Sequence, residues 1–218
     1  MFLPLDLGDL DSVRKCAQEF LARELPLHLL INNAGLAGQK GMTRSGFEVT
    51  FGVCHVGHFL FTQLLLDRLK TSAPARIVNV SSKAHFRASE FSFDIIRRPG
   101  SGTVFVEYSQ AKLANVLFTK ELARRLEGTG VTAYALHPGV VATDVWRAIP
   151  KPIAWLLKLR MISETEGAKT TLYCATDPHI ANESGYYYDK CQRIANSSLG
   201  DDAALAKRLW EESEKWVA

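Results

Sequence analysis

Apolar residues recur at helical spacing over some stretches of this chain and in short unbroken runs over others, and the two patterns alternate. A run at residues 2–7 reads as a short strand. Val13, Ala17, Phe20, Leu21 and Leu25 then fall on one side of a helix that Asp9 or Asp11 caps and that runs to about residue 25. Residues 28–33 have no alternation, as expected of a strand buried on both faces. A glycine-containing loop over 36–45 leads into a long helix over roughly 46–70, which Ser72-Ala73-Pro74 ends. Further strands are expected at 77–81, 131–136 and 185–188. Helices are expected at 108–126, at 164–175 behind a Ser163 cap, and at 203–216. Residues 83–106 read as irregular, and 143–162 as an apolar helical insertion broken by Pro150 and Pro152. Strands joined by helical crossovers imply an α/β fold with a parallel sheet, with no internal repeat or linker.

The helix at 108–126 carries the chemistry. Leu113, Val116, Leu117, Leu122 and Leu126 keep its period, so Tyr108 and Lys112, four apart, share one face. A free tyrosine titrates near pH ~10, and a neighbouring ammonium favours the phenolate, which makes a general acid/base out of a phenol. That spacing alone also fits an ordinary solvated helix face. Three further stretches change the balance: Ile31-Asn32-Asn33-Ala34-Gly35, Val78-Asn79-Val80-Ser81-Ser82 and Leu136-His137-Pro138-Gly139. Each is a strand opening into polar or small residues, and ligands of open parallel sheets sit beyond such carboxyl ends.

Together these stretches resemble the short-chain dehydrogenase/reductase family, nicotinamide-dependent enzymes with a Rossmann-type parallel sheet flanked by helices. The resemblance implies that Tyr108 exchanges a proton with the substrate oxygen, and that Lys112 binds the nicotinamide ribose and lowers the tyrosine's pKa. It assigns Ser82 to holding the substrate oxygen, with Ser81 a strand-end hydroxyl satisfying local backbone. Asn33, Ala34 and Gly35 match the stretch along the cofactor's adenosine half, and Asp6 and Leu7 the pair beside the adenine. Pro138, Gly139, Val141 and Thr143 match the loop that orients the carboxamide. No metal is required. The local wording, from Gly52-Val53-Cys54-His55-Val56-Gly57-His58 to Arg208-Leu209-Trp210, is most similar to the retinol dehydrogenase-like branch. That branch implies NADP(H) rather than NAD(H), and a small lipophilic alcohol, aldehyde or ketone as substrate. Trp146, Trp155, Leu156 and Leu157 fit a greasy substrate mouth as well as they fit ordinary packing of a lid.

Composition narrows the surroundings. The chain has 218 residues, 47% of them hydrophobic, which suits a single dinucleotide-binding and catalytic domain over 1–218. A net charge of +3 without a basic block gives no case for nucleic acid. Cys16, Cys54, Cys174 and Cys191 lack zinc spacing and read as reduced thiols. His55 and His58 are three apart without acidic company, so a buried or solvated helical pair rather than a metal site is expected there. No signal or membrane-spanning segment is expected, the nearest apolar candidate being 152–162. A cytoplasmic protein, or one on the cytosolic face of a membrane that it touches through 146–162, follows from that reading.

Two departures from the family pattern stand out. The family places asparagine where Cys54 stands, where its main chain holds a water at a helix kink. The family also opens with a strand, a glycine-rich phosphate turn and a helix, then a second strand and helix, before the strand matched by residues 2–7. None of these has a counterpart in this sequence, so the expected fold lacks the first two strands and helices. Two vacated strand positions would leave roughly 10–14 Å between the neighbours and an unpaired apolar edge at 29–33. The expectations are a fragment of a longer protein, a re-paired sheet, or association with another molecule. On the second function class, the chain is an inactive remnant acting only by binding a partner.

Overall fold

The computed structural model describes residues 2–100, 106–140 and 162–218. Its centre is a five-stranded sheet in chain order: β1 (Leu29–Asn32), β2 (Ala75–Val80), β3 (Val131–His137), β4 (Tyr186–Asp189) and β5 (Gln192–Ile194). The first four run parallel, and β5 returns antiparallel to β4. The sheet is therefore mixed rather than purely parallel. The β4–β5 link is a tight turn in which Lys190 and Cys191 both take positive φ, 49° and 59°. Lys-Cys carries none of the Asn-Gly signal that announces such a turn, so the hairpin is invisible in the pattern.

Helices α1 (Leu10–Leu21), α2 (Val49–Thr71), α3 (Val106–Arg125) and α5 (Ala203–Val217) pack on one side of the sheet, and α4 (Glu164–Thr176) lies on the other. Asp9 caps α1 by accepting the Asp11 N–H at 3.1 Å, and Ser163 caps α4 through the Glu166 N–H at 3.2 Å. The first side is filled by Phe51, Leu113, Leu117 and Leu209 near α1, and by Phe59, Leu65, Ile77, Phe118 and Trp210 nearer β2 and β3. On the α4 side, Val78, Val80, Tyr134, Leu136 and Tyr188 form a separate cluster.

Four expectations are corrected. Residues 2–7 form no strand: they pair with no sheet member among the described residues, and Leu7 is instead buried against α2, where Gly57 leaves no room for a side chain. Helix α1 stops at Leu21, with Leu25 exposed, because Glu24 turns the chain with a positive φ of 55°. Strand β1 is not buried on both faces. Leu30 and Asn32 face the α2–α3 core, whereas Leu29 and Ile31 stay 36% and 37% exposed on the α4 side, since α4 covers β2 to β4 only. The outer edge of β1 has no partner among the described residues. Lastly, among the described residues α2 has the length and composition of a membrane span, yet 67% of that window is buried, as a core helix would be. The 143–161 stretch lies outside the described residues.

Candidate active site

Helix α3 runs antiparallel to the strands it covers, so its first turns meet the carboxyl ends of β2, β3 and β4. Tyr108 and Lys112 occupy successive turns there. The Lys112 ammonium lies 5.5 Å from the centre of the Tyr108 ring, and Tyr108 is half-buried while Lys112 is buried. A buried ammonium must be hydrogen-bonded, and Lys112 Nζ donates to the Val80 carbonyl at 2.9 Å. Asn115 Nδ2 donates to the same oxygen at 3.2 Å. Ser81 returns the tie by donating its hydroxyl to the Lys112 carbonyl at 2.7 Å. The N-terminal half of α3 is thereby fastened to the end of β2.

That fastening separates the two serines. Ser81 is buried and spent on the backbone. Ser82 is half-buried and caps the 3-10 turn Lys83–Arg87, its oxygen accepting the Ala84 N–H at 3.2 Å while its own O–H is not spent in that bond. Below them a polar chain crosses the sheet. Asn32 Nδ2 donates to Thr62 Oγ1 at 2.9 Å and to Asn79 Oδ1 at 2.8 Å; Asn79 Nδ2 donates to Thr119 Oγ1 at 2.9 Å. Thr119 passes the chain on to the Asn115 carbonyl at 2.7 Å. Asn79 and Asn115 were not singled out in sequence, although Asn115 lies three residues past Lys112 on the same helix face.

Cys54 sits inside a π-helical turn, Gly52–Val56, near the start of α2. This is the kink expected there, and such bulges often mark functional positions. The Cys54 carbonyl is bonded by His58 Nδ1 at 3.1 Å, and its thiol reaches the Leu36 carbonyl at 3.5 Å. Burial pushes His58 down to about 4 and His55 to about 3, so both are neutral packing residues; His55 Nε2 meets Ser213 Oγ at 3.0 Å. All four cysteines are free.

The residues matched to a nicotinamide cofactor ring the same sheet end. Asn33, Ala34 and Gly35 are exposed just past β1. A side chain at Gly35 would come within 3.3 Å of Cys54 Sγ and 3.6 Å of Lys112 Nζ, so the bare backbone there passes beside the ammonium. Gly139, past β3, holds φ at +95°, a conformation that favours glycine, and any side chain there would strike Ile162. These are the bare backbone cradle and buried cation that a ribose and nicotinamide need. Asp6 is exposed, but Leu7 is buried in the core, so its side chain is not available to an adenine. Val141 and Thr143 lie outside the described residues.

On the β4 side, His137, His85 and Tyr187 are buried, and each keeps a polar atom without a partner among the described residues: His137 Nδ1, His85 Nε2 and the Tyr187 hydroxyl. Burial pushes His137 down to about 4. Lys83 and Asp189 close over this region as an ion pair at 2.8 Å. His85 and Tyr187 gave no sequence signal, because neither belongs to a motif or a periodic face.

The short chain dehydrogenase family model matches residues 1–153. The chain is 47% identical over 212 residues to retinol dehydrogenase 12 of Mus musculus, covering 96% of this chain and 67% of that protein. It is 44% identical over 220 residues to retinol dehydrogenase 14 of Homo sapiens, covering 98% and 65%. The chain thus spans about two thirds of the length of these relatives. Among solved structures, an uncharacterized protein from Mycobacterium paratuberculosis superposes with a TM-score of 0.74 at 34% identity, over 98% of this chain and 74% of that one. The NADPH-bound carbonyl reductase from chicken fatty liver shares the fold, with a TM-score of 0.66 at 20% identity, over 90% and 77%.

Proposed function

The chain belongs to the short-chain dehydrogenase family, on its retinol dehydrogenase-like branch, and from that premise we propose how residues 1–218 act. They form one dinucleotide-binding and catalytic domain, an NAD(P)-dependent oxidoreductase that interconverts a lipophilic alcohol and its aldehyde or ketone. The observation that carries this reading is the Tyr108–Lys112 pair, a half-buried phenol beside a buried ammonium at the strand ends. NAD(P), when bound, supplies the hydride exchange. Lys112 and the glycine backbone at 139 would hold its nicotinamide half, and the backbone at 33–35 its adenosine half.

Each side chain then has a bounded task. Ser82 donates to the substrate oxygen and fixes its distance from Tyr108. Tyr108 gives its phenolic proton to that oxygen in reduction and takes it back in oxidation. Lys112, bound to the Val80 carbonyl, places its amine beside the phenol. NADP(H) before NAD(H), and a retinoid-like substrate, rest on the branch and on the names of the relatives.

The test uses the purified chain with NADPH or NADH and a retinal-type aldehyde. Tyr108→Phe keeps the ring and removes the proton, so turnover should fall by at least about 1000-fold with cofactor affinity nearly unchanged. Near-normal turnover of the variant sinks the assignment. A second reading, a non-catalytic protein that binds a partner strand, is supported by the unpaired β1 edge and the exposed Leu29 and Ile31. Turnover that depends on Tyr108 excludes it.

A further inference from the structure

The turn that follows β2 is fastened to β4 at two places. On the outside, Lys83 pairs with Asp189 at 2.8 Å, but half of the lysine side chain is exposed, so the pair adds little rigidity. On the inside, His85 is fully buried, and its ring packs against Tyr187 at 4.7 Å and 66° and against Phe86 at 4.0 Å. Tyr187 is itself buried within β4. The buried contact therefore sets the turn. The 3-10 turn Lys83–Arg87 is short, and its strained backbone bonds hold its shape poorly without such support.

What the ring holds is Ser82. The Ser82 carbonyl accepts the His85 main-chain N–H at 3.1 Å and lies 2.7 Å from His85 Nδ1. A carbonyl oxygen only accepts, so Nδ1 carries the proton and, in the neutral ring, Nε2 is a bare acceptor. Burial pushes the imidazole pKa down and keeps the ring neutral, with Nε2 unpartnered among the described residues. Phenylalanine would fill the same space and leave no nitrogen unmatched. What the imidazole adds is the Nδ1–H bond. Ser82 is extended, with φ −164° and ψ 155°, and its side-chain oxygen accepts the Ala84 N–H at 3.2 Å. The directions left to its O–H follow from how the Ser82 main chain is turned, and His85 fixes that through both backbone and ring.

We propose that His85 is a positioning residue for Ser82: its Nδ1–H, bonded to the Ser82 carbonyl, aims the Ser82 hydroxyl at the place of the substrate oxygen. The proposal rests on the reading of Ser82 as the group that holds that oxygen. His85 exchanges no proton in this role and acts only through Ser82. A hydroxyl turned away leaves the substrate carbonyl misaligned with the proton donor, a loss felt in turnover rather than in cofactor affinity.

Two substitutions in the whole chain separate the bond from the packing. His85→Phe keeps a ring against Tyr187 and removes the donor, whereas His85→Asn puts an amide N–H where Nδ1–H stood. With NADPH and a retinal-type aldehyde, His85→Phe should lower kcat by about 10- to 100-fold and leave the KM for NADPH within about twofold. His85→Asn should recover to within about threefold of the parent. In a Ser82→Ala background, His85→Phe should cost less than about twofold, because no hydroxyl remains to be aimed. An unchanged kcat in His85→Phe, equal losses in both backgrounds, or a His85→Asn no better than His85→Phe overturns the proposal. If the variants do not fold, 15N-histidine spectra of the parent chain decide. At about pH 7.5, His85 should show the Nδ1–H tautomer, and an Nε2–H tautomer or an imidazolium overturns the proposal. A parent chain without turnover sinks the reading of Ser82 and this proposal together. A parent chain that turns over, with equal losses in both backgrounds, sinks this proposal alone.

Discussion

On the β2 flank of α3, the named polar side chains are matched: Lys112, Asn115 and Ser81 tie the helix to the strand end, and Asn32, Asn79 and Thr119 continue the chain beneath. On the β4 flank, two strands across the same sheet, His137, His85 and Tyr187 are equally buried and each keeps an atom without a partner among the described residues. Both flanks exclude water. They differ in whether hydrogen bonding is complete before anything binds. A completed network fixes a buried group in place, which suits a lysine held in one orientation. An uncompleted one holds donors and acceptors in reserve and destabilises the empty fold in exchange.

The largest effect that separates the flanks is acid sensitivity. His55, His58 and His137 sit at about 3, about 4 and about 4 in the fold, against an ordinary 6.5, chiefly through burial. A histidine whose folded pKa is depressed takes up its proton more readily in the unfolded chain. Stability is therefore fully present above about pH 6.5 and is lost as pH falls toward 4, by up to ~1.4 kcal/mol per unit for each histidine. Urea midpoints measured across that window should fall steeply. His137→Gln should flatten the slope by about one proton and leave the α2 pair's share. A pH-independent midpoint would mean that the three imidazoles are hydrated in solution.

Next in size is the matched network. Asn79→Ala strips Asn32 and Thr119 of a partner at once and should cost about 2–3 kcal/mol, read as a lower urea midpoint with unchanged slope. Tyr187→Phe on the other flank should change stability by less than about 1 kcal/mol, since no protein bond is broken. Equal losses in the two variants would erase the contrast between the flanks.

The smallest effect is expected at Cys54. The π-helical turn and the main-chain carbonyl bonded to His58 set the local geometry, and the thiol itself is buried against Leu36. Cys54→Asn should therefore raise turnover by less than about tenfold, or ~1.4 kcal/mol. A gain of hundreds-fold would make the cysteine a lesion in the proton path rather than a tolerated change.

Much of this architecture is local and so was legible in the chain. The Tyr108–Lys112 pair follows from a four-residue spacing on a helix, and the strand-end clusters at Asn33, Ser82 and Pro138 from apolar runs that stop at polar or small residues. The caps at Asp9 and Ser163 follow from side chains that bond their own next turn. What tertiary structure alone decided depends on partners distant in sequence. Residues 2–7 have the composition of a strand but no neighbour among the described residues to complete a ladder, so only Leu7 is buried, against Gly57, while Phe2 and Leu5 stay exposed. Leu29 and Ile31 read as core, yet whether a face is buried depends on the reach of α4, more than 130 residues later. Ser81 and Ser82 are chemically identical neighbours, and only the Lys112 carbonyl above one of them tells the two apart. Tyr187 carries no motif at all; its place beside α3 comes from a parallel register with Ala135, which no local pattern encodes.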